Sequence, residues 1–266
     1  MLGAIIGDIV GSRWEFNPTN NYRFEWLSLQ KNSFTDDTIC TIAIADALLN
    51  DRDFGESMHD WCNRYPHPMG GYGGRFAQWV ASCNPKPYYS WGNGAAMRCS
   101  PVAHWYRYVD EVLDAAAATA LPTHNHDEGI KGAQTVALAI FRALQMNKAK
   151  KGDAKNHIEE ILQECVEFSK YDINIHMEDV QNVFDETCQG TVPVALWIIG
   201  RSNSFEDAVR QAVSLGADAD TLGAIVGSMA EAIWGIPKAK CLETANYLPE
   251  EMLQVIEDFY AKVQEL

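Results

Sequence analysis

Two short segments of the sequence crowd carboxylates and threonine hydroxyls into a single turn. Residues 35–38 read Thr-Asp-Asp-Thr and residues 218–221 read Asp-Ala-Asp-Thr, and neither segment contains a Lys or Arg. An apolar stretch follows each segment, so each is expected at the N-terminus of a helix. If the two helices begin side by side, four carboxylates converge, and charges that close need a cation to stay ionised together.

The same residue types also suit a purely structural role at a helix start. Thr and Asp are preferred N-caps, and acids in the first turn interact favourably with the helix dipole. A cap needs one side chain, however, whereas each segment supplies three or four that carry oxygen. Capping stays open for either segment alone, and the pair together favours a metal site.

The chemistry of these side chains selects the metal. The set is all oxygen, without His or Cys, which favours Mg²⁺ or Mn²⁺, is compatible with Ca²⁺ and disfavours Zn²⁺. Four acids can hold two such ions, and ions about 3.5–4 Å apart can orient a diol and activate a water. The sequence therefore predicts a binuclear site.

The elements that must position these acids are helices. Residues 136–144, 158–168 and 222–233 place apolar side chains at helical spacing, and strand-type alternation is scarce. No lasting shift in composition marks a linker. We predict an all-α fold of about ten or more helices, arranged as a single compact orthogonal domain over residues 1–266 with the metal site at its centre.

Glycines recur at four-residue spacing in two of the predicted helices. Gly3, Gly7 and Gly11 share one face near the start of the chain, and Gly223 and Gly227 share another. Glycine weakens a helix, so three in register indicate a backbone packed very close to another element. We expect these two helices to cross in the centre of the fold.

Composition narrows the functional classes. The net charge of −15, with a pI near 4.8, disfavours nonspecific binding to nucleic acids and to anionic membranes. Seven cysteines, an odd number without a CxxC pair, indicate reduced thiols and not a disulfide framework. We expect a cytoplasmic protein with no signal peptide and no transmembrane helix.

Six motifs carry a resemblance to a known family. They lie in residues 7–16, 34–38, 71–76, 90–98, 123–133 and 216–235. In this order and spread over most of the chain, they resemble the ADP-ribosylglycohydrolases. Residues 145–186 match none of the motifs.

The resemblance implies an all-α enzyme with a binuclear Mg²⁺ or Mn²⁺ site that holds the 2″ and 3″ hydroxyls of the distal ribose of ADP-ribose. Glu15 and Asp36 are the candidate catalytic carboxylates, and the choice of general acid between them stays open. Asp8 is expected to support the ligands or to pack behind them. The metal ligands that the resemblance implies are Thr35, Asp36, Asp37, Asp218, Asp220 and Thr221.

The resemblance also implies a pocket for the rest of ADP-ribose. Glycine-rich backbone suits a diphosphate, and residues 92–94 are expected to open a helix over residues 95–107 whose amides face the phosphates. Trp91 is a candidate for stacking on a ligand ring, with a core Trp as the alternative. His126 competes with His124 for the histidine position. The implied ligand-binding residues are Tyr72, Gly73, Ser90, Trp91, Gly92, Asn93, Gly94 and His124.

The function that follows is hydrolysis of the N- or O-glycosidic bond between ADP-ribose and an acceptor. The acceptor stays open among arginine, serine, a nucleobase and a small molecule. One alternative is a silent ADP-ribose-binding or structural protein on the same fold. Another is a Mg²⁺-dependent isoprenoid-diphosphate enzyme, but such enzymes need DDxxD, and Cys40 stands where the third Asp belongs. We expect a monomer or small homo-oligomer.

Overall fold

The computed structural model describes residues 1–149 and 154–266, and regular structure within them is helical apart from one isolated bridge between Gly92 and Thr187. The all-α prediction is confirmed. In the described part the α-helices are α1 (Leu2–Gly11), α2 (Asp36–Asn50), α3 (Phe54–Arg64), α4 (Gly74–Val80), α5 (Gly94–Arg98), α6 (Ser100–Trp105), α7 (Val109–Ala120), α8 (Asp127–Ala149), α9 (Ala154–Ser169), α10 (Met177–Val180), α11 (Cys188–Arg201), α12 (Phe205–Ser214), α13 (Ala219–Trp234), α14 (Lys238–Ala245) and α15 (Glu250–Glu265).

The two glycine-striped helices, α1 and α13, pack backbone against backbone in the core. A Cβ on Gly7 would lie 1.9 Å from the carbonyl oxygen of Gly223, and one on Gly3 would lie 2.2 Å from that of Gly227. No side chain fits at such distances, so glycine is required for this approach. The predicted crossing of the two helices is confirmed.

The pairing is antiparallel, and this direction places the functional residues. A Cβ on Gly11, at the end of α1, would lie 2.2 Å from the carbonyl oxygen of Ala219, at the start of α13. The chain then continues through a 3₁₀ turn, Ser12–Trp14, to Glu15. The glycine stripe therefore brings Glu15 to the N-terminal end of α13.

Helix α2 is buried along most of its length, from Asp37 through Ala47. Its sequence is apolar nearly all round, which is typical of a helix enclosed by others. Thr35 caps its first turn, and its side chain accepts a hydrogen bond from the backbone N–H of Asp37. Burial of most of α2 fixes the position of the helix and so of the acids in its first turn.

The single helix predicted over residues 95–107 is wrong. The structure divides this stretch into α5 and α6, which meet at Cys99. Pro101 lies in the first turn of α6. Its ring cannot donate a backbone hydrogen bond and clashes with the carbonyl one turn before it, so a continuous helix is interrupted.

Five of the seven cysteines are buried as free thiols, and Cys83 is exposed. Buried thiols fit the expectation of reduced cysteines. Among residues 1–149 and 154–266, no helix is both long enough and apolar enough to cross a membrane.

Candidate active site

Three carboxylates from two helix ends converge at one point. Glu15 follows the end of α1, Asp218 is the N-cap of α13, and Asp220 lies in the first turn of α13. One oxygen of each lies within 4.8 Å of the others. This spacing suits side chains that share a cation.

The start of α2 brings more acids to the same point. Asp36 and Asp37 form its first turn. Thr221 of α13 donates from its hydroxyl to Asp37 Oδ2 at 3.1 Å, which joins the two acidic segments directly. The segments therefore meet, as their residue types and positions before apolar helices predict.

Asp8 of α1 holds the start of α2 in place. Its Oδ2 accepts from the backbone N–H groups of Thr35 and Thr38 at 3.0 and 3.1 Å, and its Oδ1 accepts from the Thr35 hydroxyl at 2.8 Å. The Thr38 hydroxyl also donates to Asp8. Asp8 is fully buried and supports the candidate ligand Thr35 from behind.

Burial and mutual repulsion make the anionic forms of these acids costly. Burial, followed by the charges of neighbouring carboxylates, raises the pKa of Asp36, Asp37 and Asp220 well above the usual carboxyl range. The same causes raise the pKa of Glu15 to about 7. A cluster of this kind holds protons at neutral pH unless another cation replaces them.

Three buried carboxylate oxygens have no hydrogen-bond partner within the described ranges: Asp37 Oδ1, Asp220 Oδ1 and Glu15 Oε2. A buried charged oxygen without a partner is unfavourable, so each one calls for a ligand. Carboxylate and hydroxyl oxygens are what Mg²⁺ and Mn²⁺ prefer. The residues present therefore fit a divalent cation of this class.

A cavity of ≈ 420 Å³ lies above these acids. Its volume is typical of a small-molecule site. Thr35 and Asp37 lie beneath its surface, at 0% and 2% exposure. The sequence-predicted residues that line the cavity are Glu15, Asp36, Tyr72, Gly73, Ser90, Gly92, Asn93, Gly94, His124, Asp218, Asp220 and Thr221.

One wall of the cavity is built from Gly92, Gly94 and His124. A Cβ on Gly92 would lie 3.2 Å from His124 Nε2, and one on Gly94 would lie 3.1 Å from the same atom. Because glycine has no side chain, the Nε2 edge of the imidazole can approach the backbone of Gly92 and Gly94. His126 instead packs against the rings of Tyr89 and Trp91, at 4.6 and 5.4 Å, so the structure favours His124 for the cavity.

The loop before α5 offers fewer free amides than the sequence predicts. The N–H of Gly92 donates to Ser90 Oγ at 3.1 Å, and the N–H of Asn93 donates to the carbonyl oxygen of Glu186 at 2.7 Å. The Asn93 side chain donates to Asp218 Oδ2 at 2.7 Å. Asn93 thus serves the acidic cluster, and two of the amides assigned to phosphates are already engaged.

Tyr72 lines the cavity with its phenol fixed from behind. Its hydroxyl lies 2.7 Å from the carbonyl oxygen of Tyr65 and 3.1 Å from that of Cys62. Its ring meets Phe76 edge to face at 5.6 Å. Gly73, the N-cap of α4, is exposed beside it.

Trp91, a sequence-predicted ligand-binding residue, does not line the cavity. Its ring packs against His126 and is 42% exposed, so it is neither a wall of the cavity nor a core residue. The backbone next to it pairs with Thr187, since the Cys188 N–H donates to the Trp91 carbonyl at 2.9 Å.

Several cavity residues went unassigned in the sequence. Arg75 and Arg98 lie within the motifs at residues 71–76 and 90–98, but their charge alone does not predict a position in the site. Glu186 lies in the stretch without motifs and reaches the cavity through the pairing of residues 185–188 with residues 91–93. The additional lining residues include Phe16, Gly70, Arg75, Tyr88, Arg98 and Glu186.

Comparison with known proteins shows the family of the chain. The family model described as ADP-ribosylglycohydrolase matches residues 1–266. The chain belongs to the ADP-ribosylglycohydrolase family. The family gives the chain its enzyme class, a glycosidic hydrolase, and removes the isoprenoid-diphosphate alternative.

Individual members of the family are distant from this chain. ADP-ribosylarginine hydrolase Tri1 of Pseudomonas putida (strain GB-1) is 26% identical, over 89% of this chain and 70% of that protein. ADP-ribosylhydrolase ARH3 of Mus musculus is 26% identical over 97% and 86%. The ADP-ribosyl-[dinitrogen reductase] glycohydrolase of Rhodospirillum rubrum is 24% identical over 88% and 84%.

A solved structure shares the fold. The protein described as "ADP-ribosylglycohydrolase-related protein complex" aligns with a TM-score of 0.71, over 98% of this chain and 95% of its own. Its sequence identity of 24% supports a common fold and nothing finer.

Proposed function

We propose that this protein hydrolyses the glycosidic bond between ADP-ribose and an arginine side chain, with two divalent cations bound at the acidic cluster. The observation that carries the proposal is a set of buried carboxylate oxygens that have no partner in the described part of the chain and lie beneath a cavity of ligand size. Family membership supplies the reaction class, since the relatives are named as hydrolases of ADP-ribosylated substrates.

The cations are proposed to be Mg²⁺, with Mn²⁺ as a substitute. When bound, they would supply Lewis-acid contacts that orient a ribose diol and polarise water. The ligands would be Thr35, Asp36, Asp37, Asp218, Asp220 and Thr221. The all-oxygen chemistry of the set supports it, as do the oxygens of Asp37 and Asp220 that have no partner within the described ranges.

Glu15 is the proposed proton-transfer group. It lines the cavity beside Asp218 and Asp220, close enough to the acidic cluster to exchange a proton with a group bound there. In the metal-free protein, burial raises its pKa to about 7. A Cβ on Gly70 would lie 2.4 Å from Glu15 Oε2, so this glycine lets the loop close over the carboxyl group. Asp36, half-buried at the start of α2, is the other candidate carboxylate.

The acceptor is proposed to be cationic because the cavity is acidic on the side of Glu15. Glu186 is exposed, lines the cavity, and its charge raises the pKa of Glu15 and Asp218. Phe16 and Phe184 form a ring pair at 6.2 Å, and both are exposed. Acidic and aromatic side chains together suit a guanidinium group. The name of the relative Tri1, an ADP-ribosylarginine hydrolase, agrees with this choice.

The test is release of ADP-ribose from matched peptides that carry ADP-ribosylarginine or ADP-ribosylserine, with Mg²⁺ or with EDTA. We expect Mg²⁺-dependent release that is faster from arginine. The variant Glu186→Gln should raise KM for the arginine peptide more than for the serine peptide, while Glu178→Gln, an exposed glutamate on α10, should change neither. Binding without release from either peptide would show a silent ADP-ribose-binding protein and contradict the proposal.

A further inference from the structure

A chain of hydrogen bonds lies behind the cavity and ends on His124. The Arg98 guanidinium is 1% exposed and donates from Nε and Nη2 to the carbonyl oxygen of Thr119, at 3.3 and 2.9 Å. Nη2 also donates to Thr123 Oγ1 at 2.7 Å. Thr123 Oγ1 in turn lies 2.7 Å from His124 Nδ1.

The buried guanidinium is placed where a helix can stabilise it. Thr119 lies in the last turn of α7, so its carbonyl belongs to the negative end of the helix dipole. The N–H groups of Thr123 and His124 donate to Ala120 at 3.1 and 2.7 Å and tie the loop to the same helix end. Arg98, Thr123 and His124 are therefore held in one rigid unit.

The chemistry of the donors fixes the direction of the hydrogen bonds. Arginine only donates, so Thr123 Oγ1 accepts from Arg98 and still has its own proton to give. The Thr123 side chain is fully buried, and His124 Nδ1 is the acceptor that the structure provides for that proton. Nδ1 then accepts, which leaves the proton of a neutral imidazole on Nε2.

The surroundings keep the ring neutral. Burial is the main cause that lowers the pKa of His124 well below its usual value, and the positive charges of Arg98 and Arg75 add to it. Nε2 is the atom that lies 3.1–3.2 Å from the Cβ positions of Gly92 and Gly94, at the wall of the cavity. The Nε2 edge of the His124 ring, which carries the imidazole proton, is thus the edge that a ligand in the cavity would contact.

We propose that Arg98 and Thr123 are positioning residues that hold His124 as the neutral Nε2–H tautomer, so that the ring presents one hydrogen-bond donor to an anionic oxygen of the ligand. The identity of that ligand as a diphosphate rests on the proposed function, whereas the tautomer follows from Arg98 and Thr123 alone. A donor that is neutral and fixed in direction binds an anion without the need to protonate a buried ring.

The direct test is the side-chain ¹⁵N spectrum of His124, assigned through its backbone resonances, in the wild-type protein near neutral pH. We expect Nδ1 to show the shift of an unprotonated nitrogen and Nε2 that of a protonated one. A protonated Nδ1, or an imidazolium with both nitrogens protonated, would overturn the proposal. This measurement uses the wild-type protein, so its result does not depend on whether a variant folds.

Variants at Thr123 connect the tautomer with binding. Thr123→Val removes the hydroxyl at nearly constant volume, and we expect it to lose the pure Nε2–H signature and to weaken ADP-ribose binding about tenfold. Thr123→Ser keeps the hydroxyl and should restore both the spectrum and a dissociation constant within about twofold of wild type. A Val variant with wild-type spectrum and affinity would overturn the role of Thr123.

Binding of ADP-ribose and the tautomer of His124 are measured independently. If the wild-type protein does not bind ADP-ribose in the presence of Mg²⁺, the proposed function and the assignment of the donor to a diphosphate both fail. The spectrum still decides the tautomer in that case, because it is recorded without ligand.

Discussion

The carbonyl oxygen of Gly223 lies 1.9 Å from the point that a Cβ on Gly7 would occupy. Because that oxygen belongs to the backbone of α13 in the core, it cannot move aside alone, and a side chain at Gly7 must push α1 and α13 apart. We expect Gly7→Ala to lower the free energy of unfolding by roughly 3 kcal/mol. Urea denaturation measures the change. Gly74→Ala is the matched control, since a Cβ on Gly74 meets no atom of the described residues within 4 Å. A similar loss of stability there would contradict the packing argument.

Substitution of Asp220 tests whether the acidic cluster is needed for activity and whether it destabilises the metal-free protein. Its Oδ1 is buried without a partner within the described ranges, and burial and nearby carboxylates disfavour its charge. We expect Asp220→Asn to reduce hydrolysis by at least about a hundredfold. In EDTA its melting temperature should equal or exceed that of wild type. Near wild-type activity would contradict the role of Asp220, and Asp258→Asn, at an exposed acid of α15, is the control for charge loss.

Much of the site could be predicted from the sequence because residue types and short-range spacing indicate the roles of its residues. The glycine spacing in α1 and α13 predicts a close crossing, and the acids before α2 and α13 predict a shared cation site. Both predictions depend on residue type and helical spacing alone, so neither requires knowledge of which distant residue lies in contact. Glu15 is different, since only the family motif marked it, and the structure shows that the antiparallel glycine pairing carries it to the cluster.

The remaining features depend on contacts between distant parts of the chain. Asn93 donates to Asp218 across 125 positions, and Glu186 reaches the cavity through a short backbone pairing that no motif marks. Trp91, a candidate for stacking on a ligand ring, is 42% exposed and does not line the cavity. Local sequence patterns do not show which distant backbone segments pair. The polarity of a side chain alone is compatible with several hydrogen-bond partners.

Acidity should stabilise the metal-free protein. Asp8 and Asp218, whose pKa values burial raises to about 6, and Glu15, at about 7, bind protons more tightly folded than unfolded. Their contribution to stability is therefore fully present below the unfolded pKa of about 4 and is lost as the pH rises through about 6 to 7. We expect the melting temperature in EDTA to fall by at least about 5 °C between about pH 5 and about pH 8.

Mg²⁺ should remove this loss, because a divalent cation replaces the protons that the acids otherwise need. The same melting experiment with Mg²⁺ present checks this. A pH profile that is identical with Mg²⁺ and with EDTA would show that the cluster does not bind the ion.

Glu15→Gln separates proton transfer from binding. The change keeps the size of the side chain and removes its ability to exchange a proton, so we expect kcat to fall by about 10²–10⁴-fold. The dissociation constant for ADP-ribose should change little. Single-turnover kinetics with saturating substrate measure the chemical step. An unchanged rate would remove Glu15 from the mechanism and leave Asp36 as the candidate carboxylate.

The most direct test of the account is calorimetric titration of free ADP-ribose into the protein, with Mg²⁺ present and again after EDTA. ADP-ribose carries the diol and the diphosphate to which the acidic cluster and the wall around His124 are assigned, and it lacks the acceptor, whose identity then does not matter. The account predicts binding at one site with Mg²⁺ and loss of that binding in EDTA. Equal affinity in both conditions would contradict the metal site, and no binding in either would contradict the assignment of the cavity.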